Sequence, residues 1–355
     1  MSSPLRPPRR TALLVGINYN NNPDATLNGC YNDVVNVSQY LRTVLGYDPS
    51  SVNILTDGNR GSAFPASVAP TRQNILAGMT ALVAGMVAGD EAVFHYSGHG
   101  SLVRDTNGDE VTGLDSCICP LDYNAPASSG GGVVTDDELR ALLVDQVPRG
   151  ARLYVILDCC HNGTGCDIRY KYEDFSVLIR PPSARTAPLW LTRQKAFVQG
   201  KYTETVGEVF MISGCRDEQT SADAYIDRAF AGALTYAVFS ILRANNASIR
   251  TYSWSALLRD VRYFMRANRY SQIPQLMTGQ IIYPARPVFA AVAAVAARGD
   301  AGLQLSSSSF SANIADSARG HPDQRAAAET TLFSFSVKPK SSPYSRSRQG
   351  IQFIH

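Results

Sequence analysis

Two short stretches hold the residues best suited to chemistry. HYSGHGS, 95–101, sets His99 between Gly98 and Gly100, and LDCCHNGTG, 157–165, sets Cys159 beside Cys160 ahead of a histidine and two glycines. A thiol becomes a strong nucleophile when a neighbouring base takes its proton, and imidazole is suited to that task near neutral pH. Glycines beside both groups allow tight turns and leave backbone N–H groups open, as an oxyanion hole needs. Either motif alone reads as an inert buried thiol or a turn histidine. Together they suggest a nucleophile and its base, with the choice between the two cysteines left open by residue type.

The elements that must bring them together are legible as apolar runs. TALLVGIN (11–18), SVNILTD (51–57), EAVFHYSG (91–98), RLYVILD (152–158) and EVFMISG (208–214) are continuously apolar rather than alternating, as expected of strands buried on both faces of a largely parallel sheet. Between them Val34, Val37, Leu41 and Val44 recur at helical spacing, as do Ile75, Met79, Leu82 and Met86. Thr135 followed by Glu138 predicts a capping box for a helix reaching about Gln146, and AFAGALTYAVFSILRAN and SWSALLRDVRYFMRANR predict two more. The alternation indicates an α/β sandwich with its ligand site beyond the C-terminal ends of the strands, where His99 and the cysteine pair both fall.

Two stretches break the pattern and read as long irregular loops: 101–133, rich in Asp and Gly, and 166–206, which carries seven Lys/Arg against four Asp/Glu. From about Gly299 the chain is Ser- and Ala-rich and reads as a loosely attached tail.

The net charge of +3 is dispersed, which argues against a nucleic-acid partner. The longest apolar run, Val288 to Ala297, is too short to span a bilayer, and MSSPLRPPRR lacks the apolar core of a secretory signal. Seven cysteines, two of them adjacent, suit a reducing compartment, so a cytoplasmic location is expected.

With GINY (16–19), LNGCYND (27–33), HYSGHGS, the LDCCHNG run and SGCRDEQTSAD (213–223) in order, the chain resembles the metacaspases, caspase-like cysteine peptidases, over roughly Thr11 to Gly279. The resemblance implies a caspase-like α/β/α sandwich around a mostly parallel central sheet. It implies a peptidase domain over 11–283 (a larger part 11–165, a linker 166–206, a smaller part 207–283), after an N-terminal arm 1–10 and before a C-terminal extension 284–355. It points to His99 as the base and Cys160 as the nucleophile, with the Gly98 and Cys160 amides expected to hold the oxyanion. Cys159 falls where relatives also carry serine, and His95 belongs to the strand. Asn162 departs from the commoner serine without touching the dyad.

Asp33 and Asp158 lie beside the expected site, and two carboxylates at the base of a pocket select a cationic side chain. The resemblance assigns Cys30, Asp33, Ser97 and Asp158 to an S1 pocket for Arg or Lys. Asp115, Asp136, Asp137 and Asp167 come from separate loops, and hard oxygen ligands suit Ca2+ rather than zinc. The resemblance assigns those four to a calcium site, whereas DTNGDE (105–110) reads as a solvated turn. The expected activity is a calcium-dependent, self-processing endopeptidase acting on protein or peptide substrates with Arg or Lys at P1, the chain being monomeric. A caspase-like binding module is the alternative from another class, and the intact dyad argues against it. A glutaminase-like amidohydrolase has no motif in its favour.

Overall fold

The computed structural model describes residues 6–58, 68–108, 110, 113–159, 165–179, 189–198, 202–214, 223–226, 229–246, 251–282 and 286–289, with side chains described except at 173–179, 189–198, 223–226 and 229–230. All of them fall in the compact unit Met1–Ala291, Ile351–His355, and the second unit, Val292–Gly350, lies outside the described residues. In chain order the elements are β1 (Arg10–Gly16), α1 (Cys30–Thr43), β2 (Val52–Thr56), α2 (Arg72–Val83), β3 (Glu91–Ser97), β4 (Gly100–Arg104), β5 (Leu114–Ile118), β6 (Val134–Thr135), α3 (Asp136–Leu139), β7 (Arg152–Asp158), β8 (Tyr170–Ile179), β9 (Leu189–Val198), β10 (Glu208–Ser213), β11 (Asp223–Ile226), β12 (Ala229–Gly232), α4 (Ala233–Ala244), α5 (Trp254–Ala267) and β13 (Gln275–Thr278).

An eight-stranded sheet in the order β2-β1-β3-β7-β10-β13-β8-β9 forms the middle layer. The five strands from β2 to β10 pair in parallel and the last three pair antiparallel, so the sheet is mixed, with a parallel centre. Side chains alternate across it. Leu13, Val15, Phe94, Tyr96, Val155, Leu157 and Met211 pack with Ile75 and Met79 of α2 and with Leu139 of α3. Ala12, Leu14, Val93, Tyr154, Ile156, Phe210 and Ile212 pack with α1, α4 and α5. Burial of both faces is why these strands are apolar from end to end, and it makes the α/β/α sandwich expected from the sequence.

The capping box forms as expected: the Thr135 side chain accepts the Glu138 N–H while the Glu138 carboxylate accepts the Thr135 N–H. The helix then widens into a π turn over Arg140–Val144.

Both stretches read as irregular carry strands. Residues 100–135 fold a small antiparallel sheet, β4-β5-β6, and 166–206 holds β8 and β9, whose hairpin extends the main sheet beyond β13. The fold also reaches past residue 283, since Val288 is 3% exposed and the Arg286 guanidinium donates to Glu208 at 2.7 Å. The remainder of the expected tail, from 290, lies outside the described residues.

Candidate active site

Register sets the site. Ser97 of β3 pairs with Gly16 of β1 on one side and Asp158 of β7 on the other, so three strands end on one rung. His99 stands two residues beyond Ser97, and Cys160 is two residues beyond Asp158 in sequence. Adjacent strands lie about 4.8 Å apart, so the shared rung puts the strand ends that precede these two residues in sequence at the same edge of the sheet. Cys160 itself, with residues 161–164 after it, lies outside the described residues. Cys159 is fully buried on the α2 face, beside Leu157.

The His99 ring is held in one tautomer. Its Nε2 lies 2.8 Å from the Ala25 carbonyl, which can only accept, so Nε2 carries the proton and Nδ1 keeps the basic lone pair. Tyr19 supports the ring from one side at a centroid distance of 4.7 Å. The Tyr19 hydroxyl also accepts the His99 N–H at 3.0 Å and donates to the Cys119 carbonyl at 2.5 Å, while Tyr96 donates to the His99 carbonyl at 2.8 Å. Burial pushes both phenols well above their ordinary pKa, so both remain protonated. Tyr19 adopts φ 54°, a left-handed conformation uncommon for a bulky residue and held here by the contacts around it.

The glycines flanking His99 differ in role. The Gly98 N–H, expected to hold the oxyanion, is directed here at the Asp158 carbonyl, 3.4 Å away, in the pairing between strand ends. A Cβ at this position would stand 2.7 Å from the Tyr96 hydroxyl, so Gly98 is small because the two tyrosines need the space. Gly100 pairs with Ile118, and the Cys119 N–H bond to the His99 carbonyl marks the adjacent rung as the hydrogen-bonded one. By the alternation of an antiparallel ladder, the Gly100 N–H points away from β5, at the edge of the small sheet.

Cys30, Asp33, Ser97 and Asp158, expected to form one pocket, are all buried, at 5%, 0%, 1% and 3% exposure. Cys30 opens α1, and the Asn18 side chain accepts its N–H at 3.1 Å, satisfying an amide that the Gly29 cap cannot. Asp33 accepts the Ser97 hydroxyl at 2.6 Å and the Gly232 N–H at 3.0 Å, and Asp158 accepts the Thr235 N–H at 2.8 Å. Both carboxylates thus sit at the N-terminus of α4, where unpaired amides and the helix dipole favour negative charge. A Cβ on Gly232 would lie 2.3 Å from Asp158 Oδ2 and 2.7 Å from Asp33 Oδ2, which locates the two carboxylates against one point of the backbone. Gly232 and Thr235 act through backbone amides, and no residue type in the sequence announces that role.

The four aspartates expected to bind metal also converge. Carboxylate oxygens of Asp115, Asp136 and Asp137 lie within 4.8 Å of one another, as do those of Glu110, Asp136 and Asp167. Glu110 is the addition: DTNGDE is not merely a solvated turn. Asp105 accepts the Asn107, Gly108 and Glu110 N–H groups, a fold that brings Glu110 into the cluster and lets Asn107 donate to Asp137 at 2.9 Å. Burial, then the charges of Asp167, Asp115 and Glu110, raise the Asp136 carboxyl far above the usual carboxylate range. A set of hard oxygen ligands crowded in this way fits a divalent cation such as Ca2+, whose charge would relieve the repulsion. The cluster is tied to the segment before β10: Tyr202 donates to Glu110 at 2.7 Å, and Arg140 bridges the Asp167 and Thr203 carbonyls.

A family model described as "Metacaspase, peptidase C14 domain" matches residues 10–169. Metacaspase-1 of Mycosarcoma maydis is 37% identical over 303 residues, covering 77% of this chain and 71% of that protein. Metacaspase-1 of Yarrowia lipolytica is 36% identical over 296 residues, 76% of this chain, and this chain spans only 61% of that relative's length. Among solved structures, a crystal structure of a protein from Geobacter sulfurreducens superposes with a TM-score of 0.50 at 24% identity, covering 78% of this chain and 96% of that one, which bears on the fold alone. Among the described residues no helix is long and apolar enough to cross a membrane.

Proposed function

The chain belongs to the metacaspases, a family of cysteine peptidases, and on that premise we propose that it is a calcium-dependent endopeptidase that cleaves after Arg or Lys. The observation that carries the reading is His99, with Nε2–H committed to the Ala25 carbonyl and a basic Nδ1 two residues beyond the rung that Ser97 shares with Asp158. In this reading Nδ1 takes the proton of the Cys160 thiol, the thiolate attacks the scissile carbonyl, and the imidazolium protonates the leaving amine. Water then hydrolyses the thioester. The oxyanion donors are the Cys160 amide and the Gly100 amide, because the Gly98 amide is directed into the β3–β7 ladder.

Asp33 and Asp158 receive the cationic P1 side chain, and an Asp side chain would meet two like charges in a buried pocket. Ca2+, when bound by Asp115, Asp136, Asp137 and Asp167 with Glu110, neutralises their mutual repulsion. Self-cleavage belongs in the connection between β8 and β9, residues 180–188, which holds Arg180 and Arg185 and lies outside the described residues.

Reporter peptides ending in Arg, Lys or Asp, assayed with Ca2+ and with chelator, test the reading. The expected result is Ca2+-dependent hydrolysis after Arg and Lys alone. Cleavage after Asp, or full activity in chelator, refutes it.

A further inference from the structure

His95 is the other histidine of HYSGHGS, and the chemistry above makes no use of it. It is fully buried on β3, two residues before Ser97 and on the same face of the sheet, the one that meets α4, and its Nε2 lies 3.0 Å from the Thr235 hydroxyl. Among the described residues its Nδ1 has no hydrogen-bond partner. A bare ring nitrogen is tolerated in an apolar setting better than an orphan N–H, so the favoured tautomer donates from Nε2 to Thr235 Oγ1. Thr235 is the same residue whose N–H holds Asp158 at 2.8 Å. The two polar residues at the C-terminal end of β3 on this face therefore both serve the carboxylates: Ser97 directly on Asp33, His95 on Asp158 by way of Thr235.

We propose that His95 is a positioning residue for the P1 pocket: by anchoring the Thr235 hydroxyl to β3 it fixes the first turn of α4, and hence the amide that aims the Asp158 carboxylate at a cationic side chain. This rests on the assignment of Asp158 to that pocket. An apolar residue would fill the core at this point without leaving a half-satisfied imidazole buried, so packing alone does not account for a histidine here. Burial holds the imidazole neutral, its pKa lowered to about 3, so it adds no positive charge beneath a pocket meant for one. When a guanidinium or ammonium group enters, the carboxylates must turn toward it, and the His95–Thr235 contact keeps α4 seated while they do.

The test is steady-state kinetics on Arg and Lys reporters with Ca2+, for wild type, Thr235→Val, Thr235→Ser, His95→Phe and the double variant His95→Phe with Thr235→Val. Valine keeps the volume of threonine and removes only the hydroxyl. The expected result for Thr235→Val and His95→Phe is a KM raised about tenfold, the loss in kcat/KM falling mainly on KM, with Thr235→Ser within about twofold of wild type. The double variant should be no worse than the worse single one, since both act through one contact. Alkylation of Cys160 by iodoacetamide at the wild-type rate reports an intact fold. Should His95→Phe fail to fold, Thr235→Val decides alone. Wild-type KM in Thr235→Val, or additive losses in the double variant, overturns the inference while leaving the pocket assignment standing. A wild type that hydrolyses neither reporter overturns the assignment and the inference together.

Discussion

Gly232→Ala is the sharpest perturbation of the proposed pocket. Gly232 has φ −65° and ψ 130°, which alanine adopts without strain, so any effect must come from the added methyl group. That methyl carbon would stand 2.3 Å from Asp158 Oδ2 and 2.7 Å from Asp33 Oδ2, and ordinary contact requires the nearer oxygen to retreat by roughly 1 Å. Such a shift breaks or lengthens the bonds from the Gly232 and Thr235 amides, each a hydrogen bond to a charged group worth about 1.5–3 kcal/mol. Loss of one such bond predicts a fall in kcat/KM for an Arg reporter of about 10–100-fold, and a chain less stable by about 2 kcal/mol. Kinetics on Arg, Lys and Asp reporters, with thermal melts of the same preparations, read both effects. An alanine variant that cleaves the Arg reporter at the wild-type rate would show that the two carboxylates do not act where Gly232 meets them.

Three further outcomes are expected. Cys160→Ala should abolish peptide hydrolysis and suppress thiol alkylation, whereas Cys159→Ala, a loss of one small buried side chain on the α2 face, should keep most activity; the reverse pattern overturns the dyad. Asp136→Asn combined with Asp137→Asn should remove Ca2+ stimulation and the Ca2+-induced rise in melting temperature, both measured against chelator, and a variant still stimulated by Ca2+ refutes the cluster. His95 is held near pKa 3 against about 6.5 in an unfolded chain, so its stabilising contribution is whole above pH 6.5 and is lost as pH falls toward 3, at about 1.4 kcal/mol per pH unit. His95→Gln should therefore flatten the decline in stability between about pH 6.5 and 4.5 in denaturant titrations, and parallel curves for variant and wild type would refute it.

The sheet centre was legible because burial on both faces demands unbroken apolar runs, and the capping box because Thr135 and Glu138 satisfy each other through side chains. The strand-end position of His99 followed from the same logic. The β4-β5-β6 sheet and the β8–β9 hairpin did not show, since strands with many polar residues leave no apolar run to see. Glu110 was hidden for a chemical reason: a solvated turn and a ligand-bearing loop share Asp, Asn and Gly, and only the bonds to Asp105 tell them apart. The amides of Gly98, Gly100, Gly232 and Thr235 were hidden because backbone direction is decided by pairing and helix position, which side-chain identity does not encode.

The strand order carries a consequence for a chain cut between β8 and β9. One product would keep β1, β2, β3, β7 and β8, the other β9, β10 and β13, and these alternate across the sheet, with β10 and β13 lying between β7 and β8. Three hydrogen-bonded ladders, β7–β10, β13–β8 and β8–β9, would join the products, along with the Tyr202 bond to Glu110. Neither piece can leave without opening the sheet on both of its flanks. A nicked molecule would thus run as two species under denaturing conditions and as one in native buffer, its severed halves laced together like the fingers of two hands.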